Sequence, residues 1–93
     1  MMTLEVREQV MEIVLKVLHK ALPRKCTIKV LRRPVELEGY HLVTEEDLYD
    51  ITAYLLRQNY VEQDESELQP GMLRYRITPQ GVDYLAREGL ISE

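Results

Sequence analysis

The sequence predicts a small α+β domain, mainly helical, built from three helices, a two-stranded hairpin and a C-terminal helix. Three observations carry that expectation. A long amphipathic segment near the start is closed by Pro23, a capping sequence at Thr44 opens a clean helical pattern, and a late stretch of strict apolar–basic alternation runs into Thr78-Pro79. Ninety-three residues suffice for one core and not two, so residues 1–93 are read as a single domain.

The first helix is expected over residues 3–22, which contain no glycine and end at Pro23. Leu4, Met11, Leu15, Leu18 and Leu22 recur at helical spacing and form one stripe. Val6, Val10, Ile13, Val14, Val17 and Ala21 form a second stripe beside it. The combined apolar arc exceeds half the circumference at ~100° per residue. A helix at the edge of a small domain buries one stripe, so the second needs its own cover. A second copy of this helix would make Val6, Val10, Ile13, Val14 and Val17 a homodimer interface; a neighbouring element of the same chain is the alternative.

Residues 27–37 admit two readings. Thr27 can cap a helix that keeps Ile28, Leu31 and Val35 on one side, with Pro34 kinking or dividing it. Alternatively a short strand over 26–31 precedes a short helix. Gly39 ends the element either way. The third helix opens at Thr44-Glu45-Glu46-Asp47, with acids at the positive helix end, and runs to Gln58 or Asn59. Leu48, Ile51, Thr52, Leu55 and Leu56 make its inner stripe.

Strands are expected over 60–63 and 72–77. In the second, Leu73, Tyr75 and Ile77 alternate with Arg74 and Arg76, giving one apolar and one basic side. The acidic segment 64–71, ending in Pro70-Gly71, reads as the hairpin loop. Thr78 then caps a last helix with Pro79 at its first position; Val82, Tyr84, Leu85 and Ala86 pack inward and Gly89 closes it.

Composition is that of a folded globular chain, 45% hydrophobic and 30% charged, with six tyrosines as its only aromatic residues. The net charge of −4 lacks the basic excess that phosphate neutralisation usually demands. The charge is nonetheless segregated. Every charged residue from Lys16 to Arg33 is basic, and every one from Glu36 to Asp50 is acidic. A dipolar surface that aids solubility is the plain account. Cys26, the single cysteine, cannot form an internal disulfide, and no apolar run approaches the ~20 residues of a membrane span. A cytoplasmic protein is expected.

Three stretches resemble the winged helix-turn-helix superfamily. Leu55-Leu56-Arg57-Gln58-Asn59-Tyr60-Val61 is similar to its passage from third helix into the hairpin, or wing. Tyr75-Arg76-Ile77-Thr78-Pro79-Gln80-Gly81-Val82-Asp83-Tyr84-Leu85 resembles its exit from the wing, and Val43-Thr44-Glu45-Glu46-Asp47-Leu48 its turn into the third helix. The resemblance covers most of the chain and extends in style to small prophage-type members. It implies DNA binding, with the third helix in the major groove and the wing on the backbone.

On that implication the nucleic-acid-binding candidates are Lys29, Arg32, Arg33, Tyr54, Arg57, Gln58, Arg74 and Arg76. The projected outer face of the third helix, however, holds Glu46, Asp47 and Asp50, which duplex phosphates would repel. A second reading therefore has Glu46, Asp47, Asp50 and Tyr54 dock on a basic protein surface, with no direct DNA readout. For Arg74 and Arg76 the plain alternative is pairing with Asp64, Glu65 and Glu67.

No catalytic constellation is visible. Cys26, His19 and His41 lack metal-ligand spacing, no glycine loop suits a phosphate, and no acid–base pair is set apart from the exposed carboxylates. The expectation is a non-catalytic transcription regulator without cofactor, metal or small-molecule ligand, whose partners are its own copy and either duplex DNA or a basic protein.

Overall fold

A computed structural model describes residues 2–92. Its elements are α1 (Leu4–Ala21), α2 (Ile28–Leu37), α3 (Glu45–Arg57), β1 (Val61–Glu65), β2 (Leu73–Ile77) and α4 (Pro79–Arg87). The order is the expected one.

Each helix starts the same way. Thr3, Thr27, Thr44 and Thr78 accept through their side chains from the backbone N–H of Val6, Val30, Asp47 and Gly81, at 3.1–3.4 Å. Each bond satisfies a donor that the first turn leaves orphaned, an effect of about 1 kcal/mol. In α3 the arrangement is reciprocal, because the Thr44 N–H also donates to the Asp47 carboxylate at 3.0 Å. Three helix ends also share one device. Tyr40, Tyr60 and Leu90 donate to the carbonyls of Val35, Leu55 and Leu85, while Gly39, Asn59 and Gly89 donate to those of Glu36, Leu56 and Ala86. This paired 6→1 and 5→2 pattern is the Schellman termination, and it requires a left-handed residue, here Asn59 at φ 62° in the case of α3.

The region around Pro34 combines both sequence readings. The helix runs unbroken from Ile28 to Leu37 with Pro34 inside it. Pro34 withholds one bond from the Val30 carbonyl, and Val30 is exposed, so water can take its place. The strand reading shrinks to one residue. Cys26 and Tyr75 exchange two backbone hydrogen bonds of 2.8 Å, an isolated antiparallel bridge that pins the α1–α2 connection to β2.

β1 and β2 pair antiparallel, with Val61 opposite Ile77, Glu62 opposite Arg76 and Asp64 opposite Arg74. β1 is thus longer than the sequence pattern indicates, reaching through Asp64 and Glu65, because cross-strand charge pairs take the place of apolar ones on its outer side.

The core gathers Val10, Val14, Leu15 and Leu18 of α1 with Leu31, Val35, Leu48, Ile51, Leu55, Tyr75 and Leu85. This corrects the expected use of α1. The helix is central, packing against α2, α3, β2 and α4, so much of its wide apolar arc is covered within the chain. Val10 and Val14 are 0% exposed and cannot be interface residues; Val6, Ile13 and Val17 are half-buried, and Leu4 and Leu22 of the supposed inner stripe are exposed. No helix among the described residues is long and apolar enough to cross a membrane.

Candidate nucleic-acid interface

The accessible face of α3 follows from which neighbours cover its other sides. Glu46, Tyr49, Asp50, Ala53 and Arg57 are exposed and fall at helical spacing along one stripe. Tyr49, at 48% exposure, is the member that the sequence projection leaves off this face. The 3.6-residue period anchored on Ala53 and Arg57 would have found it. Gln58 is exposed at the C-cap, beside Arg57.

Two residues expected on this face sit elsewhere. Tyr54 is half-buried toward α1, where the Arg7 guanidinium lies 5.6 Å from its ring centroid. It lies off the exposed stripe and lines the side of α3 that faces α1. Asp47 is half-buried and committed to the capping box with Thr44. The stripe therefore carries two acids, Glu46 and Asp50, against one base, Arg57, which is less forbidding to a polyanion than the sequence projection implies.

Lys29 and Arg33 are exposed on α2. Lys29 also lines a cleft of about 370 Å³ with Glu45 and Tyr49 of α3 and residues 69–73 of the hairpin. The start of α2, the start of α3 and the hairpin thus border one concavity. Arg32 does not line the cleft; it pairs with Glu36 at 2.9 Å and with Glu45, at the cleft's edge, at 3.4 Å.

The hairpin arginines are occupied. Arg74 makes a two-pronged contact with Asp64, Nε to Oδ1 at 2.9 Å and Nη2 to Oδ2 at 3.1 Å, and Lys25 joins the same carboxylate. Hydrogen bonds from Lys25 and Arg74 hold the Asp64 carboxyl below its ordinary range. Arg76 pairs with Glu62, Nε to Oε1 at 2.6 Å. The plain alternative of pairing within the hairpin describes both arginines, with Glu62 in place of Glu65 and Glu67 as the second acid.

The thiol of Cys26 is buried, and that burial pushes its pKa up, which favours an unreactive neutral form. Among the described residues no three His, Cys, Asp or Glu side chains converge to hold a metal ion.

Neither a family model nor a curated relative matches the sequence. Solved structures do match it in shape. A transcriptional regulator from Clostridium thermocellum superposes with a TM-score of 0.74 at 23% identity, over 95% of this chain and 84% of that one. A PadR family transcription regulator from Clostridium difficile gives 0.71 at 18%, over 87% and 83%. A PadR-like transcriptional regulator from Bacillus cereus gives 0.64 at 20%, over 89% and 81%. The chain has the winged helix-turn-helix fold. In that frame α2 and α3 are the helix-turn-helix, the β1–β2 hairpin is the wing, and the cleft containing Lys29 and Tyr49 lies between the third helix and the wing.

Proposed function

We propose that this winged helix is a DNA-binding transcription regulator. The observation that carries the proposal is the shared cleft of Lys29, Tyr49 and the wing, beside the exposed α3 stripe. A helix so placed can enter a major groove while the hairpin lies along the flanking backbone. Lys29 and Arg33 supply phosphate contacts, Tyr49 an apolar and hydrogen-bonding contact, and Arg57 with Gln58 the donors that suit guanine and adenine edges. The fold likeness to three transcription regulators supports the same reading. Anisotropy titration of random-sequence duplex at low salt tests it. Binding weakened by Lys29→Glu and Arg33→Glu is expected; no binding at micromolar protein overturns it.

A second reading rests on Glu46 and Asp50, which head the α3 stripe, and on the internal pairing of Arg32, Arg74 and Arg76. On it α3 docks against a basic protein surface. Charge reversal at Glu46 and Asp50 is the test, with Asp47 left intact because it caps the helix; unchanged capture of a basic partner counts against it.

Self-association belongs to the proposal in a reduced form. The α1 surface available for it is Val6, Ile13 and Val17, without Val10 and Val14. Burial against a second copy would add to the small core that 93 residues provide.

A further inference from the structure

Away from the α3 stripe, a groove of about 420 Å³ opens between α1, the end of α3 and α4. Three of the six tyrosines line it, Tyr54, Tyr60 and Tyr84, together with three glutamates, Glu8, Glu12 and Glu88. The Tyr60 and Tyr84 ring centroids are 5.0 Å apart with planes inclined by 35°, so the two rings form an angled wall. No Lys or Arg is among the lining residues.

This composition is selective for positive charge. Aromatic faces are negative and attract cations, most strongly where water is partly excluded. The carboxylates are uncommitted. Among the described residues the ion pairs engage Asp64, Glu36, Glu45 and Glu62, and none of the three groove glutamates. Their field reaches the rings, since the Tyr84 phenol is raised first by burial and then by Glu88 and Glu12. Arg7 over Tyr54 shows that one of these rings already accepts a cation from the chain itself. The three carboxylates do not converge as metal ligands would. Rings flanked by spread carboxylates suit a cation that is large and tolerant of losing water on its apolar side.

We propose that the groove between α1, α3 and α4 is a binding site for a small alkylated ammonium ion, held by the rings of Tyr54, Tyr60 and Tyr84 and balanced by Glu8, Glu12 and Glu88. The site uses none of the α3 stripe residues and stands independently of the DNA-binding reading.

Choline chloride titration followed through tyrosine ring proton shifts tests the site, with 3,3-dimethylbutanol as the uncharged probe of the same shape and sodium chloride balancing ionic strength. Saturable shifts with choline and none with the alcohol are expected. Tyr84→Leu should weaken choline binding by about threefold or more, the loss of one cation–π contact, while Tyr84→Phe retains it. Glu12→Gln, which keeps the side-chain shape, should also weaken it, with a melting curve confirming that the fold is intact. The proposal is overturned if choline gives no saturable shift at tens of millimolar, if the alcohol binds equally well, or if folded Glu12→Gln binds choline as the wild type does.

Discussion

The Thr78 hydroxyl donates a hydrogen bond to the Asn59 carbonyl at 2.6 Å, joining the residue that ends α3 to the residue that begins α4. The Thr78 N–H donates in turn to the Tyr60 carbonyl at 3.0 Å. Both ends of the wing are thereby fastened at one point, and Thr78 still accepts from Gly81 to cap α4. The wing leaves the body of the domain from a closed base.

Gly81 is the tightest position at that base. It is buried, and a methyl group there would run into the Tyr60 carbonyl and stand 2.6 Å from Ile77 Cγ1. Gly81→Ala should therefore destabilise the domain by about 1–3 kcal/mol, as overpacking does. Thermal unfolding checks this. A domain of this size loses roughly 4–8 °C per kcal/mol, and an unchanged midpoint would show that the base gives way easily.

Asn59 holds φ at 62° without being glycine. Asn59→Gly should be close to neutral, since it keeps the left-handed turn. Asn59→Val should cost about 1–2 kcal/mol, because a branched side chain resists that backbone region. Denaturant midpoints of the two variants should separate accordingly.

Much of the fold was legible because it is specified by short local signals. The caps at Thr27, Thr44 and Thr78, the Asn59 and Gly89 ends and the alternation of Leu73, Tyr75 and Ile77 need no knowledge of neighbours, whereas Thr3 proves to be a cap and not the first helical residue. What failed required knowing who covers whom. Val10 and Val14 look like surplus apolar surface until α1 is seen to be central. Tyr54 projects outward in a helical wheel, yet α1 brings Arg7 over it, while Tyr49 is left bare. Where these side chains lie turns on the angular width of one neighbour.

Releasing the wing arginines should raise affinity for duplex DNA. Glu62→Gln combined with Asp64→Asn removes the carboxylates paired with Arg76 and Arg74. Anisotropy titration at fixed salt should show tighter, sequence-independent binding. Equal affinity of variant and wild type would place the wing away from the nucleic acid.

Asp64 sets a pH signature. Its folded-state pKa lies below the ordinary 3.8 because Lys25 and then Arg74 hydrogen-bond its charged form. A depressed carboxyl pKa contributes stability that is present above the unfolded value and lost as pH falls through the folded one. Asp64→Asn should accordingly flatten the acid limb of a stability–pH curve measured below pH 3.8 and leave its shape near neutrality unchanged.

Val17→Glu bears on self-association. Val17 is half-buried on α1 and does not belong to the sealed part of the core. Sedimentation should show wild-type dimers and Val17→Glu monomers; a wild type that sediments as a monomer at high concentration removes the dimer from the proposed function.

The pairing of Arg74 with Asp64 and of Arg76 with Glu62 means that the wing carries its own counterions, bonded into the chain. A phosphate approaching it displaces carboxylates that cannot diffuse away. The entropy normally gained when small ions disperse from the duplex has a smaller share here, and the exchanged carboxylates must find water instead. Contacts made through this wing should therefore respond weakly to added salt, and most of any salt dependence should originate from Lys29 and Arg33, the basic residues left open on α2.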